Sequence, residues 1–194
     1  MMSQLRERRR RRTRRHIADH AARLVAGQGL SATTVEQIAQ AAEVGRATFF
    51  RYFGTKELAV AEGFARDNLQ AITDALARQP AELSACDAVR AAYVELAHGF
   101  QERRDDVRRQ AELARSSPAL QAWTLLLHAD YEVAIAGLVA PRFTDLAPGD
   151  LRPRLVGATT MAVVRLAVDE WLAGGATADL PASIATGLDQ LAIP

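Results

Sequence analysis

The chain has 194 residues, of which 49% are hydrophobic, 24% charged and 6% aromatic. This composition is typical of a soluble globular protein with one or two domains. The single cysteine, Cys86, excludes an intrachain disulfide framework and fits a reducing compartment. No apolar run reaches the roughly 18 uncharged residues of a membrane span, because Arg165, Asp169 and Glu170 interrupt the nearest one. We therefore expect a cytoplasmic protein that does not enter a membrane.

Charge is distributed unevenly along the chain. Residues 1–58 carry 12 Lys/Arg against 5 Asp/Glu, a net charge of +7, and residues 59–194 carry 12 against 18, a net charge of −6. Phosphates attract the first part and are repelled by the second. The distribution predicts a DNA-binding domain over 1–58 and a separate domain over 59–194.

The chain begins with a block of arginines. Residues 1–15 contain eight of them and one acid, Glu7. A like-charge block of this kind is usually disordered in isolation. It is either a solvated start of the chain or an arm that orders on DNA, along the backbone or in the minor groove. We favour the arm because of the motif that follows it.

The first helix is predicted over about residues 13–26, ending at Gly27-Gln28-Gly29. Its core positions are Ile17, Ala21, Leu24 and Val25. His16 and His20 lie one turn apart beside Asp19, a spacing that can bind a metal. No third or fourth ligand follows, so we expect a solvated face and no metal site.

Residues 33–45 predict a short helix followed by a tight turn. Thr33 and Glu36 have the spacing of a capping box. Apolar residues then recur at helical spacing, at Val35, Ile38, Ala39 and Ala42. The turn runs from Ala42 to Gly45, and its Val44 is the apolar plug that a helix-turn-helix buries between its helices.

A second short helix is predicted from near Arg46. Its inward positions are Thr48, Phe49 and Phe53. Its outward positions are Arg46, Ala47, Phe50, Arg51 and Tyr52. This arrangement holds one short helix on the surface, where it can insert into the major groove of DNA.

The order and spacing of these pieces resemble the N-terminal domain of the tetracycline-repressor (TetR) family. The resemblance is carried by Thr33-Thr34-Val35-x-x-Ile38-Ala39, residues 42–53 and Thr55-Lys56-Glu57. It implies DNA contacts by Thr34, Arg46, Ala47, Thr48, Arg51, Tyr52 and Lys56. Arg46 and Ala47 would lie nearest the base edges, where an arginine can bind guanine. Thr34 and Lys56 would lie at helix N-termini suited to phosphate.

Three positions depart from the family pattern. Glu43 replaces a turn glycine, so a non-glycine residue is expected to adopt positive φ. Gly45 replaces a serine cap, at a cost of about a few tenths of a kcal/mol. Phe50 replaces a tyrosine and lacks the hydroxyl that would reach a phosphate.

The remainder of the chain has helical patterning only. We expect helices over about 56–78, 87–104, 118–139, 151–172 and 180–191, with 103–113 as a short charged helix or linker. The first of these is a lever about 30 Å long that joins the two domains. The predicted fold is all-α, with an N-terminal three-helix helix-turn-helix domain and a C-terminal helical domain for ligand binding and dimerisation.

Residues 151–172 are apolar nearly all round, so they need cover on more than one side. The family resemblance implies that the last two helices pack against a second copy as a four-helix bundle. We therefore expect a homodimer through residues 155–171 and 180–191. Residues 116–121 and 171–174 also resemble the C-terminal domain of mycofactocin-type regulators, which implies an effector of the acyl-coenzyme A class.

No catalytic motif is present in the sequence, so we expect neither an enzyme nor a cofactor. Side chains that could converge on an effector pocket are Phe64, Tyr93, Phe100, Trp123, Leu127, Tyr131 and Met161. The alternative is that they form ordinary core. Arg165 lies in an apolar helix, where it either pairs with Asp169 or binds an anionic ligand.

Together these features predict a homodimeric transcriptional regulator. We expect a ligand-responsive repressor that binds a pseudo-palindromic, double-stranded DNA operator. Its effector would be small and apolar or of the acyl type. The alternative is a ligand-independent dimeric DNA-binding module, whose second domain serves only for dimerisation.

Overall fold

The computed structural model describes residues 2–191, with side chains from residue 6 onward. Helices and their connections make up this part of the chain, in which there is no strand. The all-α fold expected from the sequence is confirmed. The chain divides into two compact units, Met1–Asp67 and Asn68–Pro194.

The first unit consists of three helices and the start of a fourth. They are α1 (Met2–Gln28), α2 (Val35–Ala41), α3 (Arg46–Tyr52) and α4 (Lys56–Arg78). Apolar positions from all four are almost fully buried, including Ile17, Ala21, Ile38, Phe49, Phe53 and Val60. The helix-turn-helix order predicted for the basic domain is therefore present, with α3 in the place of the recognition helix.

Helix α1 is longer than predicted. It begins at Met2, so the arginine block belongs to it. Arginine has a high helix propensity, and an exposed ion pair one turn apart joins Glu7 Oε1 to Arg11 Nε at 3.2 Å. The helix ends close to where it was expected, because Gly29 has φ of 82° and donates its N–H to the Val25 carbonyl at 2.9 Å.

The predicted cap of α2 was wrong by one residue. Thr34 is the N-cap: its hydroxyl accepts from Gln37 N at 3.2 Å, and the Gln37 side chain accepts from Thr34 N at 2.8 Å. Thr33 is instead buried, and its hydroxyl donates to the Gly29 carbonyl at 2.8 Å. Both Thr33-x-x-Glu36 and Thr34-x-x-Gln37 match a capping box, and the burial of Thr33 selects the second.

The second unit contains the end of α4 and five further helices. They are α5 (Ala85–Ala97), α6 (Phe100–Arg115), α7 (Pro118–Val139), α8 (Arg152–Ala173) and α9 (Leu180–Leu191), with a 3-10 turn at Ala140–Arg142. Helix α7 packs along α8, and α9 packs on α5 and α8. Their buried side chains form one core.

The predicted single helix over residues 87–104 was wrong. Helix α5 ends at Ala97 and α6 begins at Phe100. Gly99 between them has φ of 76°, a conformation that glycine adopts without steric cost and that ends a helix. The other boundaries agree with expectation. Ser117 caps α7 by accepting from Leu120 N at 3.3 Å, with proline in the first turn.

The backbones of α7 and α8 approach each other closely at Gly157. A Cβ atom placed there would lie 2.4 Å from the Glu132 carbonyl oxygen. Only glycine allows so short a separation between two helices. The contact fixes α8 against α7 and thereby sets which faces of the two helices remain exposed.

Candidate nucleic-acid interface

Helix α3 has one buried and one exposed face. Phe49 and Phe53 are 0% and 2% exposed, and their rings pack 5.9 Å apart. The opposite face presents Arg46, Ala47, Phe50 and Arg51 to solvent, with Thr48 and Tyr52 half-buried at its edge. The inward positions predicted for Phe49 and Phe53 are confirmed. The outward positions are confirmed for the four exposed residues.

The turn before α3 has the strained geometry expected from its sequence. Glu43 has φ of 52°, a left-handed conformation that side chains other than glycine adopt at a cost. Gly45 is the N-cap of α3 and supplies no side-chain hydrogen bond. Val44 N donates to the Ala39 carbonyl at 2.8 Å, which closes the turn.

Arg46 is placed at the start of α3 with its guanidinium in solvent. Its Nε lies 3.0 Å from Glu36 Oε1, and the two side chains are 68% and 62% exposed. The guanidinium also lies 5.4 Å from the centre of the Phe50 ring. An exposed ion pair of this kind contributes at most about 1 kcal/mol, so Arg46 can exchange Glu36 for a base or a phosphate.

Lys56 has partners within the protein that the sequence did not predict. Its Nζ donates to the Leu30 carbonyl at 2.8 Å and to the Thr33 carbonyl at 2.7 Å. These bonds join the first residue of α4 to the loop between α1 and α2. Two of the three ammonium protons are therefore used inside the domain.

Arg14 is a second cation with an internal role that sequence reasoning missed. Its guanidinium binds Glu62 of α4 and the Tyr52 carbonyl at the end of α3. It also lies 4.4 Å above the centre of the Phe53 ring. Within the arginine block nothing distinguishes this residue from its neighbours, because its partners are 38 and 48 residues away.

A shallow groove of about 300 Å³ opens beside α1 and the α2–α3 turn. Its lining residues are Arg12, Thr13, Arg15, His16, Asp19 and Val44.

His20 lies one turn from His16, with their ring centres 4.6 Å apart. Burial, followed by the positive charges of Arg23 and His16, lowers the pKa of His20. Among the described residues, no three His, Cys, Asp or Glu side chains form a metal-binding group.

Most of the residues considered for an effector pocket lie in the core of the second unit. Tyr93, Phe100, Tyr131 and Met161 are between 2% and 9% exposed, and Leu127 packs against them. Burial raises the pKa of Tyr93. Trp123 is half-buried on α7. Phe64 belongs to the first unit.

Arg165 is exposed, and the ion pair proposed for it is formed by another arginine. Asp169 binds Arg115 of α6, with its Oδ1 2.5 Å from NH2 and 3.0 Å from Nε. Asp169 therefore pairs with Arg115, and not with Arg165 as expected. Burial lowers the pKa of His128; the nearby Glu132 carboxylate opposes this effect, and the positive charges of Arg165 and Arg115 add to it.

The second unit also exposes an unusual amount of apolar surface on α7 and α8. On α7, Leu125, Leu126 and Val133 are 62%, 73% and 71% exposed. On α8, Leu155 and Leu166 are 58% and 56% exposed. By length and composition, residues Pro118–Arg142 could cross a membrane, and 17% of their most apolar window is buried. No other helix in the described part of the chain is both long enough and apolar enough to cross a membrane.

Two protein families match the chain and divide it as the two units do. The family described as bacterial regulatory proteins, tetR family, matches residues 17–62. The family described as MftR C-terminal domain matches residues 83–194. The chain belongs to the TetR family. Its helix-turn-helix and its C-terminal helices are those of a TetR-family transcriptional regulator.

Individual TetR-family relatives cover most of the chain. MftR of Mycobacterium tuberculosis, whose name assigns it to the regulation of mycofactocin biosynthesis, is 30% identical over 95% of both chains. The HTH-type transcriptional regulator TcmR of Streptomyces glaucescens is 36% identical over 86% of this chain and 76% of its own. These relatives are regulators and not enzymes.

A solved structure shares the fold. The TetR-family repressor FadR of Thermus thermophilus, crystallised with lauroyl-CoA, aligns with a TM-score of 0.66 at 24% identity over 92% of both chains. The agreement extends over both the helix-turn-helix and the C-terminal helices. The predicted architecture is therefore confirmed over nearly the whole length.

Proposed function

We propose that this TetR-family regulator is a ligand-responsive repressor that binds a pseudo-palindromic operator as a homodimer. The observation that carries the proposal is the exposed face of α3, which is held rigidly by the burial of Phe49 and Phe53. Arg46 and Ala47 would read bases, while Thr48, Arg51 and Tyr52 would contact bases or phosphates. Thr34 would contact phosphate at the start of α2. For Lys56 we propose the internal role described above.

The base-reading role of Arg46 is tested with an operator selected by the protein from random duplexes. Arg46→Ala should cost about 1–3 kcal/mol of discrimination, because one bidentate contact to guanine is lost. The measurement is the affinity for the selected duplex and for its single-base variants at fixed salt. An equal loss on every duplex would assign Arg46 to phosphate instead.

The dimer interface is proposed on α7 and α8. Helix α7 exposes an apolar stripe at spacings of three and four, formed by Ala119, Ala122, Leu126, Ala129 and Val133. Helix α8 exposes a second one, formed by Leu155, Ala158, Ala162 and Leu166. Two neighbouring stripes of this kind from two copies can interdigitate as a four-helix bundle.

Helix α9 is not part of the proposed interface, although the sequence suggested it. Its apolar residues Leu180, Ile184 and Ala185 are buried against the monomer's own core, and the exposed side of α9 includes Ser183, Thr186, Asp189 and Gln190. Exposed apolar area of the size found on α7 and α8 usually marks an interaction site. We therefore replace α9 by α7 in the proposed bundle.

Two glutamate substitutions distinguish the two interfaces. Leu126→Glu buries a charge if α7 and α8 form the interface, so it should convert the dimer to monomer. Ala182→Glu, on the exposed side of α9, should leave the dimer intact. Light scattering of the full-length variants gives the mass directly. The opposite pattern would restore the interface to α9.

We propose that the effector is small and apolar or of the acyl type. Support comes from the match to the MftR C-terminal domain. Helix α4 begins in the first unit and ends in the second, so a ligand that displaces its end can act on the DNA-binding domain. Such coupling typically changes affinity by about 5–150-fold.

Lauroyl-CoA, the ligand in the FadR structure, is the first compound to test. Operator affinity is measured with and without it, and with coenzyme A alone as the control. No change with acyl-CoA compounds of several chain lengths would favour the second candidate, a ligand-independent DNA-binding module. The burial of Tyr93, Phe100, Tyr131 and Met161 in the core is the observation that favours this candidate.

A further inference from the structure

Arg14 connects three helices of the DNA-binding unit through one guanidinium. Its NH1 donates to the Tyr52 carbonyl at 2.7 Å. Its Nε and NH2 donate to Glu62 Oε2 at 2.8 and 2.6 Å. Its Cζ lies over Phe53, 4.4 Å from the ring centre. The contacts join α1 to the end of α3 and to the first half of α4.

The hydrogen bond from Arg14 is made to the C-terminal end of α3, where it can fix the orientation of that helix. Tyr52 is the last residue of α3, and the last carbonyls of a helix have no partner within it. A cation there satisfies one of them and interacts favourably with the helix dipole. Because α3 has only seven residues, a bond at its C-terminal end controls the direction in which its N-terminal end points.

Glu62 holds the guanidinium in the orientation that the Tyr52 bond requires. Glu62 is 20% exposed and Arg14 is 40% exposed, so the pair is screened from solvent more than a surface ion pair. A planar fork that binds a carboxylate with two N–H groups has its remaining N–H groups fixed in direction. Lysine keeps the charge but cannot reproduce that geometry.

We propose that Arg14 is a positioning residue for DNA recognition, which sets the angle of α3 through the Tyr52 carbonyl and is itself held by Glu62. The inference rests on the proposed role of α3 in reading bases. It also gives α4 a direct route to α3 within the unit, since a displacement of Glu62 displaces the guanidinium that holds Tyr52.

The alternative role for an arginine in this block is a phosphate contact, which predicts a different effect on DNA affinity. A phosphate contact depends on charge, so it weakens binding to all duplexes alike and lowers the salt slope by about one when lost. Positioning depends on the fork and not on the charge. Loss of the positioning role lowers the affinity for the operator and leaves the affinity for random duplexes unchanged.

The test compares Arg14→Lys, Arg14→Gln and Glu62→Gln with a matched control, Arg66→Gln, in the full chain. Arg66 also joins α1 to α4, through Asp19. Its NH2 lies 4.0 Å from Glu62 Oε1, too far for a hydrogen bond, and its hydrogen bonds go to Arg15 and Asp19 of α1. Affinities for the duplex selected by the wild type and for a scrambled duplex are measured between 50 and 200 mM salt, the range over which about 10³–10⁵ in affinity can be lost.

Arg14→Lys should lower the ratio of operator to scrambled affinity by about 5-fold or more, the discrimination of one misaligned base contact. Its affinity for scrambled DNA and its salt slope should remain those of the wild type. Glu62→Gln should lower the ratio in the same direction. Arg66→Gln should leave the ratio unchanged even if it lowers the melting temperature.

Three results would overturn the inference. The first is an unchanged ratio of operator to scrambled affinity in Arg14→Lys. The second is an equal loss of affinity for both duplexes, with a flatter salt slope, in Arg14→Gln. The third is an equal loss of ratio in Arg66→Gln, which would show general destabilisation. A wild-type protein that selects no sequence would instead contradict the proposed function itself, and so is distinguishable from these three.

Discussion

Individual cations of the basic domain divide into two groups with different partners. Arg46 and Arg51 are exposed on α3, and their side-chain contacts are weak enough to be exchanged for DNA. Arg14 and Lys56 donate to backbone carbonyls of the protein at 2.7–2.8 Å. Positive charge in a DNA-binding domain therefore does not by itself identify a phosphate contact.

Lys56→Met should lower the free energy of unfolding by about 2 kcal/mol, because two hydrogen bonds from a charged donor are lost and two carbonyls are left without it. Urea unfolding measures the change. Arg51→Met, which removes a charge from the exposed face of α3, is the control and should change stability by less than about 0.5 kcal/mol. Equal small changes in both variants, with weaker binding to all duplexes, would return Lys56 to a phosphate role.

Glu43→Gly should stabilise the protein. A left-handed conformation costs a non-glycine residue about 1–2 kcal/mol, and glycine loses about 0.5–1 kcal/mol more in chain entropy on folding. The net gain is up to about 1.5 kcal/mol, measured as a higher melting temperature. Glu43→Ala keeps the strained φ of 52° and should give no gain. A similar rise in both variants would contradict this explanation.

At the scale of helices, close packing depends on a few small residues. A Cβ on Gly63 of α4 would lie 2.4 Å from the Ala18 carbonyl oxygen and 2.6 Å from the Ala22 Cβ, both on α1. A Cβ on Gly27, which is also helical, would meet nothing within 4 Å. Both glycines lie within helices, and the neighbours of each decide whether a methyl group can be accommodated.

Gly63→Ala should destabilise the first unit by about 1–3 kcal/mol, because α1 and α4 have to separate to admit the methyl group. Gly27→Ala should do the opposite and stabilise by up to about 1 kcal/mol through helix propensity. Thermal unfolding of the two variants gives the comparison. If both variants were stabilised, the short separation at Gly63 would be wrong.

For the whole molecule, positive charge is concentrated in the first part of the chain. The net charge is only +1, but it results from +7 in residues 1–58 and −6 in the remainder. Part of the positive charge is carried by the exposed arginines at the start of α1. An ordered helix presents these side chains at fixed spacing, which suits contact with successive phosphates.

Replacing Arg8, Arg9, Arg10 and Arg11 by Gln should weaken binding to all duplexes and reduce the salt slope by up to about four. Fluorescence anisotropy between 50 and 200 mM salt, the range over which phosphate contacts lose affinity steeply, measures both. The control replaces Arg103, Arg104, Arg108 and Arg109 of α6 by Gln, which lowers net charge by the same amount. An unchanged slope in the first variant would make the arginine block a solvated start of the chain.

Much of this protein could be predicted from its sequence because the signals are local. Caps, turn residues and apolar spacing placed α2, α3, α4, α7, α8 and α9 close to their true bounds, and the TetR-family motif assigned the DNA-binding role. The one missed break, at Gly99, is a glycine inside a pattern that is helical on both sides. An isolated glycine of that kind is compatible with a continuous helix or with its end.

The features that only the tertiary structure decided involve partners distant in the chain. Arg14 meets Glu62 across 48 residues, and Lys56 meets Leu30 and Thr33 across 26 and 23. Likewise, the apolar side of α9 is buried within the monomer, whereas α7 and α8 each leave an apolar stripe exposed in addition to their buried faces. Amphipathic spacing shows that a helix has an apolar face, but packing decides whether its own chain or another molecule covers it.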